Sequence, residues 1–176
     1  MTARAIRLYG DPVLRARAKP IGAWNDALRA LARDMVDTMR AANGVGLAAP
    51  QIGESVAIFV AQLPEEVASM EPLILANPEI VEEEGVEASS EGCLSLPEIE
   101  EDIERATKIR IRGVAPTGET IDLDVEGYLA RIILHEIDHL KGILIVDRIS
   151  PLRKRLLRRQ LEKIRKRSEE ARAARQ

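Results

Sequence analysis

The sequence predicts an α+β domain, with antiparallel or mixed β-sheets packed around one central helix and further helices at either end. Three observations predict it. Apolar residues recur at helical spacing between residues 26 and 42. Two segments between residues 108 and 125 alternate apolar and polar positions strictly. A second helical period follows at once, over residues 126–140. Strands gathered in the middle of the chain, with helices before and after, favour α+β over repeated βαβ units.

The elements follow in chain order. Asp11-Pro12 can open a short helical turn reaching about Ala18. Asn25 is a natural N-cap, and Leu28, Leu31, Met35 and Met39 share the face of the helix that follows. That helix should stop at Asn43-Gly44. GVGLAAPQIG, Gly44 to Gly53, is too rich in Gly and Pro for a helix and reads as a loop. Ser55 to Gln62 reads as a buried strand, and LILANPEIV as a short strand interrupted at Asn77-Pro78. VEASSEGC alternates loosely and suits another strand. Lys108–Val114 and Glu119–Val125 flank the turn APTG and form a plausible hairpin, with Ile109, Ile111, Ile121, Leu123 and Val125 inward. Glu126 to Leu140 is helical with Gly142 to cap it, and Pro151 opens a final basic helix.

Composition narrows the function classes. At 176 residues the chain suits one domain with a real core. It has one cysteine, no apolar N-terminal run of signal length and no segment long enough to span a bilayer, so a cytoplasmic setting without membrane partners is expected. Residues 150–176 carry eleven Lys/Arg against three Glu, a net +8, which leaves the remainder at −11. This divides the chain into an acidic body, 1–149, and a basic helical extension, 150–176. The extension could fold back on the acidic body or contact RNA through phosphate. With only Tyr9, Trp24, Phe59 and Tyr128 as aromatics, recognition by base stacking is disfavoured.

The chemistry concentrates in HEIDH, residues 135–139. His135 and His139 are four residues apart, so both imidazoles project from one helical face and can share one metal ion. Glu136 adjoins the first ligand, where a general base would stand. These are the only two histidines in the chain. A hydrolytic metal site needs a third protein ligand. The candidates are Cys93 in EGCLSLP and Glu162 in the basic tail, and the softer thiolate is the better ligand. In GVGLAAPQIG, Gly44 and Gly46 allow close backbone approach, and the Gln51 amide could donate to a developing oxyanion.

Taken in order, GVGLAAPQ, EGCLS and HEIDHLKG resemble the peptide deformylase family over about residues 5–149, including the closing GILIVDRI. The family removes the formyl group from the initiator methionine of new bacterial and organellar proteins. The resemblance implies a metal-binding HExxH helix with Cys93, His135 and His139 as ligands, and Glu136 as the catalytic glutamate. It places the oxyanion donors on the Gln51 side chain and the Leu94 backbone N–H. Val45, Gly46 and Ile132 would stand on the substrate side, with Arg105 supporting the site electrostatically. One divalent metal per chain is implied, Fe²⁺ natively, with Zn²⁺ or Ni²⁺ fitting the same ligands. The implied substrate is the formyl-Met end of a nascent peptide. Some bacterial members dock a basic C-terminal helix on the ribosome, and the +8 tail is similar in character. On that reading, deleting residues 152–176 should spare activity on small peptides and weaken ribosome binding. One departure stands out: Glu98–Glu104, EIEEDIE, is strongly acidic where relatives often carry Gly, Tyr or a basic residue. Two rival readings are a metallopeptidase that uses Glu162, and an RNA- or ribosome-binding module without catalysis.

Overall fold

The computed structural model describes residues 3–62 and 71–175. Met1, Thr2 and Gln176, the outer ends of the two regions expected from sequence, lie outside the described residues.

Asp11 caps a 3-10 turn, Pro12–Arg15, by accepting a hydrogen bond from the Val13 N–H. Helix α1 spans Asp26–Ala41, and the Asn25 side chain caps it by accepting from the Leu28 N–H. The chain leaves α1 through Asn43 at φ 52°, a conformation asparagine tolerates better than most residues. Strand β1, Gly46–Ala48, follows, then a 3-10 turn at Ala49–Ile52 and strand β2, Ile58–Ala61. Strand β3, Leu73–Glu84, runs straight through the Asn77-Pro78 pair where an interruption is expected. The register shifts between Ala76 and Glu79 instead, a bulge with Asn77 at φ 50°. The Asn77 amide fixes it by bonding both the N–H and the C=O of Ile21. Strands β4 (Glu87–Gly92) and β5 (Glu100–Arg105) pair with each other. Strands β6 (Lys108–Val114) and β7 (Thr120–Glu126) make the expected hairpin. Helix α2 is Gly127–Leu140, and two short-linked helices, α3 (Pro151–Leu156) and α4 (Arg158–Ala173), close the chain.

Five strands form one antiparallel sheet in the order β1-β2-β3-β6-β7, and β4-β5 form a separate ribbon. The large sheet is sandwiched because its strands bury alternate residues on opposite faces. From β2, Phe59 and Ala61 meet α2 through Ala130, Ile133 and Ile137, together with Leu75, Ile109 and Ile111. Ile58 and Val60 point the other way, to Leu31, Met35 and Met39 of α1. Burying each such side chain contributes about 1.5–3 kcal/mol. A third apolar cluster joins Leu96, Ile99 and Ile103 around the ribbon to Leu14, Leu144 and Val146, and to Leu161 and Ile164 of α4. Helix α4 is thus seated on the body. Ser168 donates to the Leu8 carbonyl, and the α carbon of Gly10 faces the Arg165 side chain so closely that an added Cβ would lie 2.7 Å from Arg165 Cγ.

Candidate active site

Helix α2 sets the first part of the geometry. One turn apart, the His135 and His139 rings sit edge to face with centroids 4.9 Å apart and Nε2 atoms 3.2 Å apart. The third group arrives from outside the helix. Strand β4 ends at Gly92, and the turn that follows brings Cys93 Sγ to 3.2 Å from His139 Nε2. The three ligand atoms all lie within 4.8 Å of one another. One thiolate and two imidazole nitrogens converging at this spacing fit a divalent transition ion. Glu162 stands elsewhere. It lies on α4 with a half-exposed side chain, 3.6 Å from Arg165.

A buried ion network orients the ligands. His135 Nδ1 lies 3.0 Å from Glu91 Oε2. Glu91 accepts two hydrogen bonds from Arg105, at 2.9 Å each, and one from Arg131 at 2.8 Å. Arg105 also reaches Asp138, which in turn holds Arg148. Burial alone would raise the Glu91 pKa, but the bonds from His135 and Arg105 outweigh it and bring the carboxyl to about 2. An ionised Glu91 must accept from the His135 Nδ1–H; burial would lower the His135 pKa, but the bonds with Cys93 and Glu91 outweigh it and hold the ring well above its ordinary value, so Nε2, the atom turned toward Cys93 and His139, has to give up its proton when a metal binds. Burial also drives His139 well below its ordinary pKa, with His135 acting in the same direction, which keeps it in the neutral, ligating form.

Glu136 faces the cleft from the same helix turn. It is 3% exposed, and its Oε2 has no hydrogen-bond partner among the described residues. Burial is the main reason its pKa rises to about 7, against the opposing pull of His135 and Arg105. Strand β1 passes so near that Gly46 can have no side chain. An added Cβ would lie 2.3 Å from Glu136 Oε1 and 2.9 Å from Ile132 Cγ2. The 3-10 turn after β1 delivers Gln51, also buried. Its Oε1 accepts from the Ala48 N–H at 2.8 Å, while its Nε2 points toward Ser95 Oγ (3.3 Å) and Cys93 Sγ (3.9 Å).

These groups line one cleft of about 720 Å³. Val45, Gly46, Gln51, Cys93 and Leu94 contribute from one side, and Ile132, His135 and Glu136 from the helix. His139 lies beneath them, 1% exposed. Arg105 is not on the cleft wall. It is 4% exposed and sits behind Glu91, paired with Glu91 and Asp138 and with none of the acidic residues of 98–104. Sequence reasoning missed Glu91, Asp138 and Arg131. A signal existed for Arg131, which precedes His135 by four residues and so shares its helical face.

The comparisons with known proteins agree with this arrangement. The sequence family described as polypeptide deformylase matches residues 3–155. A peptide deformylase of Thermotoga sp. (strain RQ2) is 46% identical over 157 residues, covering 89% of this chain and 93% of that protein. One from Alkalilimnicola ehrlichii is 46% identical over 159 residues, covering 90% and 89%. Among solved structures, the peptide deformylase of Thermus thermophilus superimposes with a TM-score of 0.86 at 44% identity, covering 93% of this chain and 98% of that one. A plant peptide deformylase reaches a TM-score of 0.90 at 34% identity, covering 97% and 94%. With the match spanning nearly the whole chain in sequence and in fold, this chain belongs to the polypeptide deformylase family.

Proposed function

We propose that this enzyme removes the N-formyl group from the initiator formyl-methionine of nascent proteins, releasing formate and a free amino terminus. The observation that carries the reading is one cleft in which Cys93, His135 and His139 converge beside a buried, unpartnered Glu136 carboxylate oxygen. In a metal-dependent family, these three side chains would hold one divalent ion, with Fe²⁺ the proposed native metal and Zn²⁺ or Ni²⁺ as alternatives. Such an ion supplies Lewis acidity, polarising a carbonyl and easing deprotonation of water near neutral pH.

The remaining work falls to the chain. Glu136 accepts a proton from the attacking water and returns it to the departing amine, and a pKa near 7 suits both transfers. The Gln51 Nε2 and the Leu94 N–H donate to the oxygen on which negative charge develops. Val45, Gly46 and Ile132 receive the methionine end. Strand β1 ends the order of the large sheet, and no strand among the described residues pairs with its outer edge, where an extended peptide can pair main chain to main chain. Arg105 acts at one remove, by holding Glu91 against His135.

The division at residue 150 is one of role rather than of folding. The basic α3 and α4 would contact the ribosome electrostatically, in a cytoplasmic setting. Leu152 and Leu156 of α3 are 67% and 66% exposed beside these charges. Leu161 and Ile164, however, belong to the apolar cluster that also holds Leu96 and Ile103. Truncation would open that cluster, so the structure favours reversing the charge of exposed Arg155 and Arg159 over deleting residues 152–176. Weaker ribosome co-sedimentation at low salt in that variant would support the contact, and unchanged co-sedimentation would refute it.

The direct test is formate release from formyl-Met-Ala-Ser by anaerobically purified protein. Turnover is expected. A metal-loaded sample that releases no formate but cleaves peptide bonds would replace this reading with a metallopeptidase.

A further inference from the structure

The acidic run Glu98–Glu104 holds one carboxylate unlike the rest. Glu98, Glu100, Asp102 and Glu104 are exposed, whereas Glu101 is buried. The register of the β4-β5 ribbon sets Glu101 directly opposite Glu91. Residues paired in this way share a face of the ribbon, with Cα atoms about 4.5–5.5 Å apart. Two carboxylates side by side on one buried face repel each other. Glu91 is taken up by Arg105, Arg131 and His135, and none of these donates to Glu101. The partner of Glu101 comes from the basic extension instead. Arg153 of α3 donates to both of its carboxylate oxygens, at 2.9 and 2.7 Å. Among the described residues no other side chain donates to Glu101.

An ion pair that includes an exposed arginine often contributes little. This pair is lopsided. The Arg153 side chain is 55% exposed and that of Glu101 only 5%. Without Glu101, Arg153 would simply be hydrated. Without Arg153, a carboxylate that water reaches poorly would stand beside the one that orients His135. The ribbon is held where it is, which denies Glu101 an easy escape. Ile103, two residues on, packs with Leu161 and Ile164 of α4, and its carbonyl accepts from Arg131. The nearest cations for a stranded Glu101 are therefore those that serve Glu91.

We propose that Arg153 is a positioning residue for the metal-binding site: by cancelling the charge of Glu101 it leaves Arg105 and Arg131 committed to Glu91, and so keeps His135 in its ligating orientation. The basic extension thereby supports the site from outside the acidic body. The proposal rests on the deformylase reading only for the reaction that the site serves.

The test is the affinity for Zn²⁺, read by competition with a chelator, in wild type, Arg153→Gln, Arg153→Lys, Glu101→Gln and the Arg153→Gln, Glu101→Gln double variant. Arg153→Gln should bind Zn²⁺ about three- to tenfold more weakly, less than the loss expected for a direct partner of a ligand. Arg153→Lys, Glu101→Gln and the double variant should all bind within about twofold of wild type, because none of them leaves a bare carboxylate beside Glu91. Arg153→Gln binding as tightly as wild type would overturn the proposal. So would equal losses in Arg153→Gln and Glu101→Gln, or a double variant as weak as Arg153→Gln, since a tie that only holds α3 in place is broken equally from either end. If Arg153→Gln does not fold, wild-type affinity in the double variant together with weakened affinity in Arg153→Ala would support it, and weakened affinity in the double variant would overturn it. The expected affinities in a protein that releases no formate from formyl-Met-Ala-Ser would support the role of Arg153 and overturn only the deformylase reading.

Discussion

Glu91 and Asp122 are both carboxylates gripped by two arginines, and both are held at a pKa of about 2. Glu91 is enclosed by Arg105, Arg131 and His135, with a side chain 6% exposed. Asp122 lies on the β6-β7 hairpin between Arg110 and Arg112, all three partly open to water. Equal shifts do not mean equal consequences. Around Asp122, water replaces whatever an arginine withdraws, and such pairs add little to stability. Around Glu91 no water is at hand, so each charge depends on the others, and the reward is a fixed His135. The buried cluster spends stability on orientation, whereas the exposed one decorates a hairpin that its apolar face already holds.

The sharpest way to break the contrast is Arg105→Ala. It strands Glu91 and Asp138 as buried charges, and an unfolding cost of about 3–5 kcal/mol is expected by denaturant titration. The folded fraction should also bind metal more weakly. Asp122→Ala should leave the unfolding midpoint within experimental scatter. If the two variants unfold alike, burial does not separate the clusters.

Next in size is Gly46→Ala. Its Cβ would collide with the Glu136 carboxylate, and displacing that group should lower kcat by about a hundredfold while metal content stays at one per chain. Metal loss in this variant would show that β1 supports the ligands as well as the base. A gentler probe of the buried side is Glu91→Gln, which keeps the shape but gives up the charge that orients His135. Metal affinity should fall about 10–100-fold, as read by competition with a chelator.

A smaller effect, though one above that of Asp122, belongs to Asp147. Burial alone would raise its pKa, but Arg15, the Leu144 N–H and Lys154 hold it below the ordinary value. A lowered folded pKa stabilises above the unfolded pKa, and that contribution disappears as pH falls through the folded one. Asp147→Asn should therefore cost under about 1 kcal/mol at neutral pH, and this difference should vanish in acid. A difference that persists unchanged in acid would mean that packing, not charge, is responsible.

What the sequence revealed divides along similar lines. HEIDH was legible because its chemistry is local: four-residue spacing puts two imidazoles on one face wherever the helix lies. The β6-β7 hairpin was legible because its inward residues are apolar. Strand β5 was not. Its inward positions, 101, 103 and 105, alternate as a strand should, but two of the three are charged, so the pattern reads as a polar run. Nothing local marks Glu91 or Asp138 as buried, since their burial depends on arginines that only the fold brings near. Strand β1 was hidden for another reason, because its glycine serves close approach to Glu136 rather than a turn. The interruption expected at Asn77-Pro78 proved to be a bulge, since the Asn77 side chain supplies bonds to Ile21 that sequence patterns do not reveal.

The central claim is that ligation and proton transfer reside in different side chains of one cleft. It is tested most directly by measuring metal per chain and formate release on the same samples of wild type, Cys93→Ala and Glu136→Gln. The account predicts that Glu136→Gln keeps one metal per chain and loses turnover by at least about a hundredfold, while Cys93→Ala loses the metal. Glu136→Gln retaining near-normal formate release, or Cys93→Ala retaining its metal, would contradict it.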